Sequence, residues 1–220
     1  LSFTSLVLFP TLLHDLRGYP DNAISLLIAA RGLGNWSAFL FITQLTRVAP
    51  RFAIGAGLAI QAGASFWMSQ FNINVPESSV FWSHYLMGLG NSVAFTPMAV
   101  MTFSTLPRNK VTEGAAVFTM MRNFGSSLFI SLAVLVLVRS SSISYAQLVE
   151  FVSPYRPLLY YQSFPVSWNP ETTAGLMQLS REVQRQAAMI GYINAFYMMA
   201  LTAAVSVPLA MLLQRVPAQR

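Results

Sequence analysis

The chain has 220 residues, 55% hydrophobic and only 9% charged. A soluble domain carries about 25% charged residues, so this chain cannot coat a globule with solvated side chains and reads as an integral membrane protein. The absence of cysteine excludes a disulfide framework and a thiolate metal site. The net charge of +6 is a topology signal, developed below, and calls for no nucleic acid.

The apolar runs are near 20 residues long, the length of a spanning helix, and do not alternate in ten-residue strands. The expected fold is all-α, with six spans. The first covers residues 1–13. There is no initiator Met and residue 1 already lies in an apolar run, so the sequence is expected to start inside a span. Gly18 and Pro20 break the connection that follows. The second span covers 22–45, with Asp21 or Asn22 as N-cap. A short turn holding Pro50 leads to the third span, 52–70, which is rich in Gly and Ala. The fourth covers 80–106 and is expected to break at Pro97. The fifth covers 113–138. The last covers 187–213. The connection 140–186 begins with Pro, Tyr, Phe and Trp residues suited to the membrane interface. From about residue 172 it carries Leu176, Leu179, Val183 and Ala187 at helical spacing.

Orientation follows from the basic residues. One side holds Arg47, Arg51, Arg108, Lys110, Arg215 and Arg220 against Glu113 alone. The other holds Arg17, Arg139, Arg156, Arg181 and Arg185 against Asp15, Asp21, Glu77, Glu150, Glu171 and Glu182. Both ends are therefore expected in the cytoplasm, with the long connection outside. The lipid bilayer is the first partner.

Two arginines remain inside the spans. Arg31 and Arg122 each lie about nine residues in, roughly 14 Å deep. Charge at that depth is costly and marks a functional site by default. Arg122 and its neighbour Asn123, with Arg31, are candidates for a substrate or proton path. The alternative is structural, with each arginine tying carbonyls between helices. His84 is a candidate proton relay, because its ordinary pKa lies near neutrality, or else a polar residue between helices. No acid lies deep in any span, so this chain lacks a carboxylate for proton coupling. Gly32, Gly34, Gly88, Gly90 and Gly125 are expected where helices approach closely, and Pro97 at a kink. Asn35-Trp36-Ser37 matches a glycosylation acceptor, but inside a span it is a chance match. No HExxH, GxSxG or phosphate-binding loop occurs, and no enzyme activity or cofactor is expected.

The order of motifs resembles a known family. ARGLGNWSAFLFITQLTRVAPR, then GLGNSVAFTPMAVMTFSTLPRNKVTEGAAVFTMMRNFGSSLFISL, then RQAAMIGYINAFYMMA are similar to the carboxy-terminal part of the fourteen-helix drug:proton antiporters of the EmrB/QacA type, in the major facilitator superfamily. The resemblance covers essentially the whole chain. It departs at Thr43-Gln44, where the family carries Gly-Arg, and at Asn194 and Ala195, where many relatives carry acids. The resemblance implies the C-terminal six-helix bundle of a proton-driven multidrug exporter of the bacterial inner membrane. Its implied partners are an N-terminal half, a small amphipathic substrate, a periplasmic adaptor and an outer-membrane channel. A transport-incompetent fragment, or a half needing a separate N-terminal half, is one alternative. An exporter of anionic lipids or small acids is the other.

Overall fold

A computed structural model describes residues 1–48, 50–104, 106–151 and 172–212. These residues form helices joined by short connections. α1 spans Ser2–Thr11 and continues as a π turn, Leu12–Leu16; α2 spans Asp21–Val48 and α3 Pro50–Ser69; α4 spans Glu77–Ser104, α5 Val111–Phe151 and α6 Thr173–Met211. Five of the helices, α2 to α6, are long and apolar enough to cross a membrane. The first segment is helical but shorter than a full span.

Several boundaries differ from the sequence reading, each for a local reason. α3 starts on Pro50, where a missing N–H costs nothing because the first turn has no carbonyl to receive it. α4 passes through Pro97 without interruption. Neighbouring helices stabilise such a residue inside a membrane helix, and Pro97 is fully buried among them. α5 does not stop near Val138 but runs on to Phe151, since RSSSISYAQLVEF contains neither Pro nor Gly. α6 starts at Thr173, where the Thr172 hydroxyl oxygen accepts from the Gly175 N–H at 3.1 Å, and continues unbroken to Met211. At 41 and 39 residues, α5 and α6 are each roughly 60 Å long, twice a hydrocarbon core of about 30 Å.

The helices pack in the order α2, α4, α3, α6, α5, and α1 lies against α5, α4 and the adjoining ends of α2 and α6. Lipid is as apolar as leucine, so apolar area alone does not hold these helices together; close backbone approach and polar ties do. The α2–α4 seam uses both. A Cβ on Gly34 would collide with the Tyr85 carbonyl, and one on Gly88 with the Arg31 carbonyl. Between them Ser92 donates to Asn35 Oδ1 at 2.9 Å, and Tyr85 OH donates to Ser37 Oγ at 2.9 Å. Gly57 and Gly90 bring α3 onto α4, and Gly191 brings α6 onto Leu137 and Ser141 of α5. Gly32 and Gly125, expected at such contacts, instead meet no atom within 4 Å. They lie on outward faces of their helices.

α1 is short but deeply set. Phe9, Leu12 and Leu13 are almost fully buried, against Met68, Phe71, Val80 and Met87 on one side and Tyr192, Phe196 and Met199 on the other. At the end assigned to the outside, Arg17 donates to the Val75 carbonyl and Tyr19 OH donates to Glu77 at 2.9 Å. There too, Arg185 Nε donates to the Leu16 carbonyl at 2.6 Å. These bonds tie α1 to the α3–α4 connection and to α6.

Replacing Gly88 by Leu is expected to force α2 and α4 apart and to cost about 1–3 kcal/mol, the usual penalty for overpacking. Gly32→Leu should be close to neutral. Thermal unfolding of the purified protein in detergent would separate the two, and equal melting temperatures would show that the seam does not depend on Gly88.

Candidate functional site

The two membrane arginines, equivalent by depth, have opposite surroundings. Arg31 is 7% exposed. Its Nη1 donates to the Ser2 carbonyl at 2.6 Å and to Ser5 Oγ at 3.0 Å, both on α1. Ser2 Oγ in turn donates to Oε1 of the buried Gln61 on α3, at 3.2 Å. One guanidinium thus joins α1 to α2, and through Ser2 to α3. A rigid planar head with five donors suits this work. Among the described residues it has no carboxylate partner.

Arg122 is exposed on α5. Its guanidinium carbon lies 5.5 Å from the centre of the Phe95 ring of α4. That distance is within cation–π range. Phe118 packs between Phe95 and Phe103, at 6.0 and 5.5 Å between ring centres. Next to Arg122, Asn123 enters a cleft of about 390 Å³ between α1 and α5. Phe3, Leu6 and Val7 form its apolar wall, facing Asn123, Ser126, Ser127, Ile130 and Ser131. The cleft is lined by hydroxyls, one amide and apolar surface, with no acid among its lining residues. Such a surface can receive a molecule with an apolar body and a hydrogen-bonding head.

His84 lies elsewhere. It is fully buried on α4, with the Phe9 ring edge-on at 4.4 Å. Nδ1 is 3.1 Å from the Val80 carbonyl, which can only accept, so Nδ1 carries the proton. Nε2 is buried with no partner. No hydrogen bond or ion pair links His84, Arg31 and Arg122 to one another among the described residues. Of the four residues singled out for a path, the structure places Arg122 and Asn123 together and sets Arg31 and His84 apart in the core. The sequence reading missed the serines of the cleft. Their signal was present as Asn123, Ser126, Ser127 and Ser131, which fall on one helical face. Gln61 and Ser5 were also missed.

No family model matches the chain. The Multidrug export protein EmrB of Haemophilus influenzae is 25% identical over 209 residues, which are 90% of this chain and 39% of that protein. The protein of the same name from Escherichia coli K12 is 22% identical over 212 residues, 91% of this chain and 40% of its own length. The Probable multidrug resistance protein EmrY of Escherichia coli K12 is 22% identical over 204 residues, 90% and 39% respectively. The chain is a relative of the EmrB-type export proteins. It spans about 40% of the length of these curated relatives. The alignments therefore agree with the motif order: this chain is similar to part of these export proteins.

Arg31→Ala should remove two hydrogen bonds to a charged group and lower stability by about 1–3 kcal/mol, seen as less folded protein and a lower melting temperature. Arg122→Ala should leave both unchanged, because α5 is not held by that side chain. A fall in folded yield for Arg122→Ala equal to that for Arg31→Ala would mean that the division of roles is wrong.

Proposed function

We propose that this chain is the C-terminal six-helix half of a proton-coupled multidrug-type efflux transporter of the bacterial inner membrane, with both ends in the cytoplasm. The amphipathic cleft between α1 and α5, next to the exposed Arg122 in sequence, in a relative of multidrug exporters, carries the reading. Arg122 and Asn123 serve the substrate on the open side of the bundle. Alternating access moves this bundle as one body against the N-terminal half around that side. The proton-motive force supplies the energy. Asp21, Glu77, Glu113 and Glu150 sit in the first turns or near the ends of their helices, and Glu182, in the part of α6 that precedes the sixth span, is paired with Arg185, so the coupling carboxylate belongs to the N-terminal half. Among the described residues, His84 remains the candidate proton relay of this core. The parts of α5 and α6 that extend beyond the bilayer offer a periplasmic adaptor, and through it an outer-membrane channel, a helical surface.

A second reading has its own support. A cleft lined by no acid, with the exposed Arg122 beside Asn123 on the same helix, favours an anionic or neutral head, so the exported molecules include lipids or small amphipathic acids.

The test is efflux by the full-length protein in proteoliposomes with an imposed proton gradient, using a cationic dye and a fluorescent anionic lipid in parallel. Arg122→Ala is expected to slow transport by about tenfold or more, the loss of one hydrogen bond to a charged group, at unchanged folded amount. Loss for the anionic probe alone supports the second reading. Full efflux of both probes without Arg122 and Asn123 would remove the cleft from the transport path.

A further inference from the structure

The end of α1 assigned to the outside carries a feature that transport of a substrate at the α1–α5 cleft does not use. Two residues after Pro10 the helix widens into a π turn, Leu12–Leu16. Pro10 has no N–H for the preceding turn, and single π turns of this kind often sit at functional positions. Gly18, with φ of 65°, closes the turn by donating its N–H to the His14 carbonyl at 3.0 Å. One flank of the turn is fastened: Arg185 of α6 holds the Leu16 carbonyl, Arg17 holds the Val75 carbonyl, and Tyr19 holds Glu77. The other flank, toward α2, is not. There a cleft of about 480 Å³ separates Pro10, Thr11, His14 and Asp15 from Asp21 and Ser25.

His14 Nδ1 is 2.9 Å from Asp15 Oδ1. We propose that the π turn is a proton-sensitive strap: charged His14 draws it toward Asp21 and narrows the mouth between α1 and α2, whereas neutral His14 leaves Asp15 and Asp21 to repel and the mouth widens. The charged and titratable groups around it come from each element packed against it. α2 supplies Asp21, and the turn itself supplies Asp15 and Arg17. The α3–α4 connection with the start of α4 supplies Glu77. α6 supplies Arg185, its partner Glu182 and Tyr192. Both basic groups, Arg17 and Arg185, are already committed to carbonyls on the fastened flank. Toward α2, His14 is therefore, among the described residues, the one cation between two carboxylates.

The hydrogen bond to Asp15 raises His14 above its ordinary 6.5; desolvation opposes the rise, and the charges of Asp15 and Asp21 add to it. A raised pKa means that the closing attraction is fully present below about 6.5 and fades as pH climbs through the raised value. The groups are exposed, so the shift in the closed-to-open ratio is small, about two- to fivefold.

Spin labels at Thr11→Cys and Ser25→Cys, in the full-length protein in lipid nanodiscs without other cysteines, report the width of the mouth. The short-distance population is expected to fall about two- to fivefold between about pH 5.5 and about pH 8.5. His14→Gln should stay wide at both values, and His14→Lys, permanently charged, should stay narrow at both. Because the two variants shift in opposite directions, a general folding defect does not mimic the result. A distance distribution independent of pH in the parent, or a pH response that survives His14→Gln, overturns the proposal. The outcome does not depend on what the protein carries.

Discussion

Arg31 is the point on which the bundle turns. The hydrocarbon interior has no water to satisfy a polar group, so each must find a partner within the protein. Arg31 finds the Ser2 carbonyl and the Ser5 hydroxyl on α1. The Ser5 hydroxyl in turn donates to the Ser2 carbonyl at 3.0 Å, so guanidinium, hydroxyl and carbonyl close one small buried network. Around that tie the tight contacts follow: the Arg31 carbonyl faces Gly88, Gly34 faces Tyr85, and Gln61 reaches back to Ser2. A carboxylate partner would add a second desolvated charge to the core, whereas carbonyls and hydroxyls add none.

The same rule explains why α5 is different. Only Ala133 and Ser144 are buried on it among the described residues. Its polar face, from Asn123 to Ser131, points to the cleft and not to a packed neighbour. Arg122 can stay there only because its surroundings are open and Phe95 offers a ring face. A charge that is partnered by backbone is part of the scaffold; a charge on an open polar stripe is free to meet something else. Distance from the helix start does not separate these cases, since Arg31 and Arg122 lie about equally far into α2 and α5.

That is also the limit of what the sequence disclosed. Helix class, the apolar segments and the family resemblance were legible because length and composition decide them. Helix ends were less so, since Ser140 to Phe151 carries no breaker and a helix simply continues when its partner α6 runs alongside. Which way each arginine faces was hidden for a physical reason. In lipid both helix faces are apolar, so the usual hydrophobic periodicity vanishes. What survives is the stripe of small residues. Arg31 shares its face with Gly34 and Ala38, all buried, and that spacing was visible. Arg122 also has small residues at that spacing, Gly125 and Ser126, but neither is buried. Gly32 and Gly125 looked equivalent to Gly34 and Gly88 because a glycine's side of the helix depends on its neighbours three and four residues away, not on the residue beside it.

The distribution of ties also says how the bundle can move. Hydrogen bonds cross between α1 and α2, α1 and α6, α2 and α4, and the two connections at the outer end. Pulling α1, α2 and α4 apart would break bonds that have no water to replace them within the membrane. Motion of the whole bundle breaks none of them. The exceptions lie where the structure is already open: the cleft between α1 and α5, and the flank of the π turn facing α2. Local change is cheap only there, because the groups involved are solvated or unpartnered before the movement begins. A rigid body with two compliant edges is therefore what a few buried polar groups, placed in a medium that cannot solvate them, require of this chain.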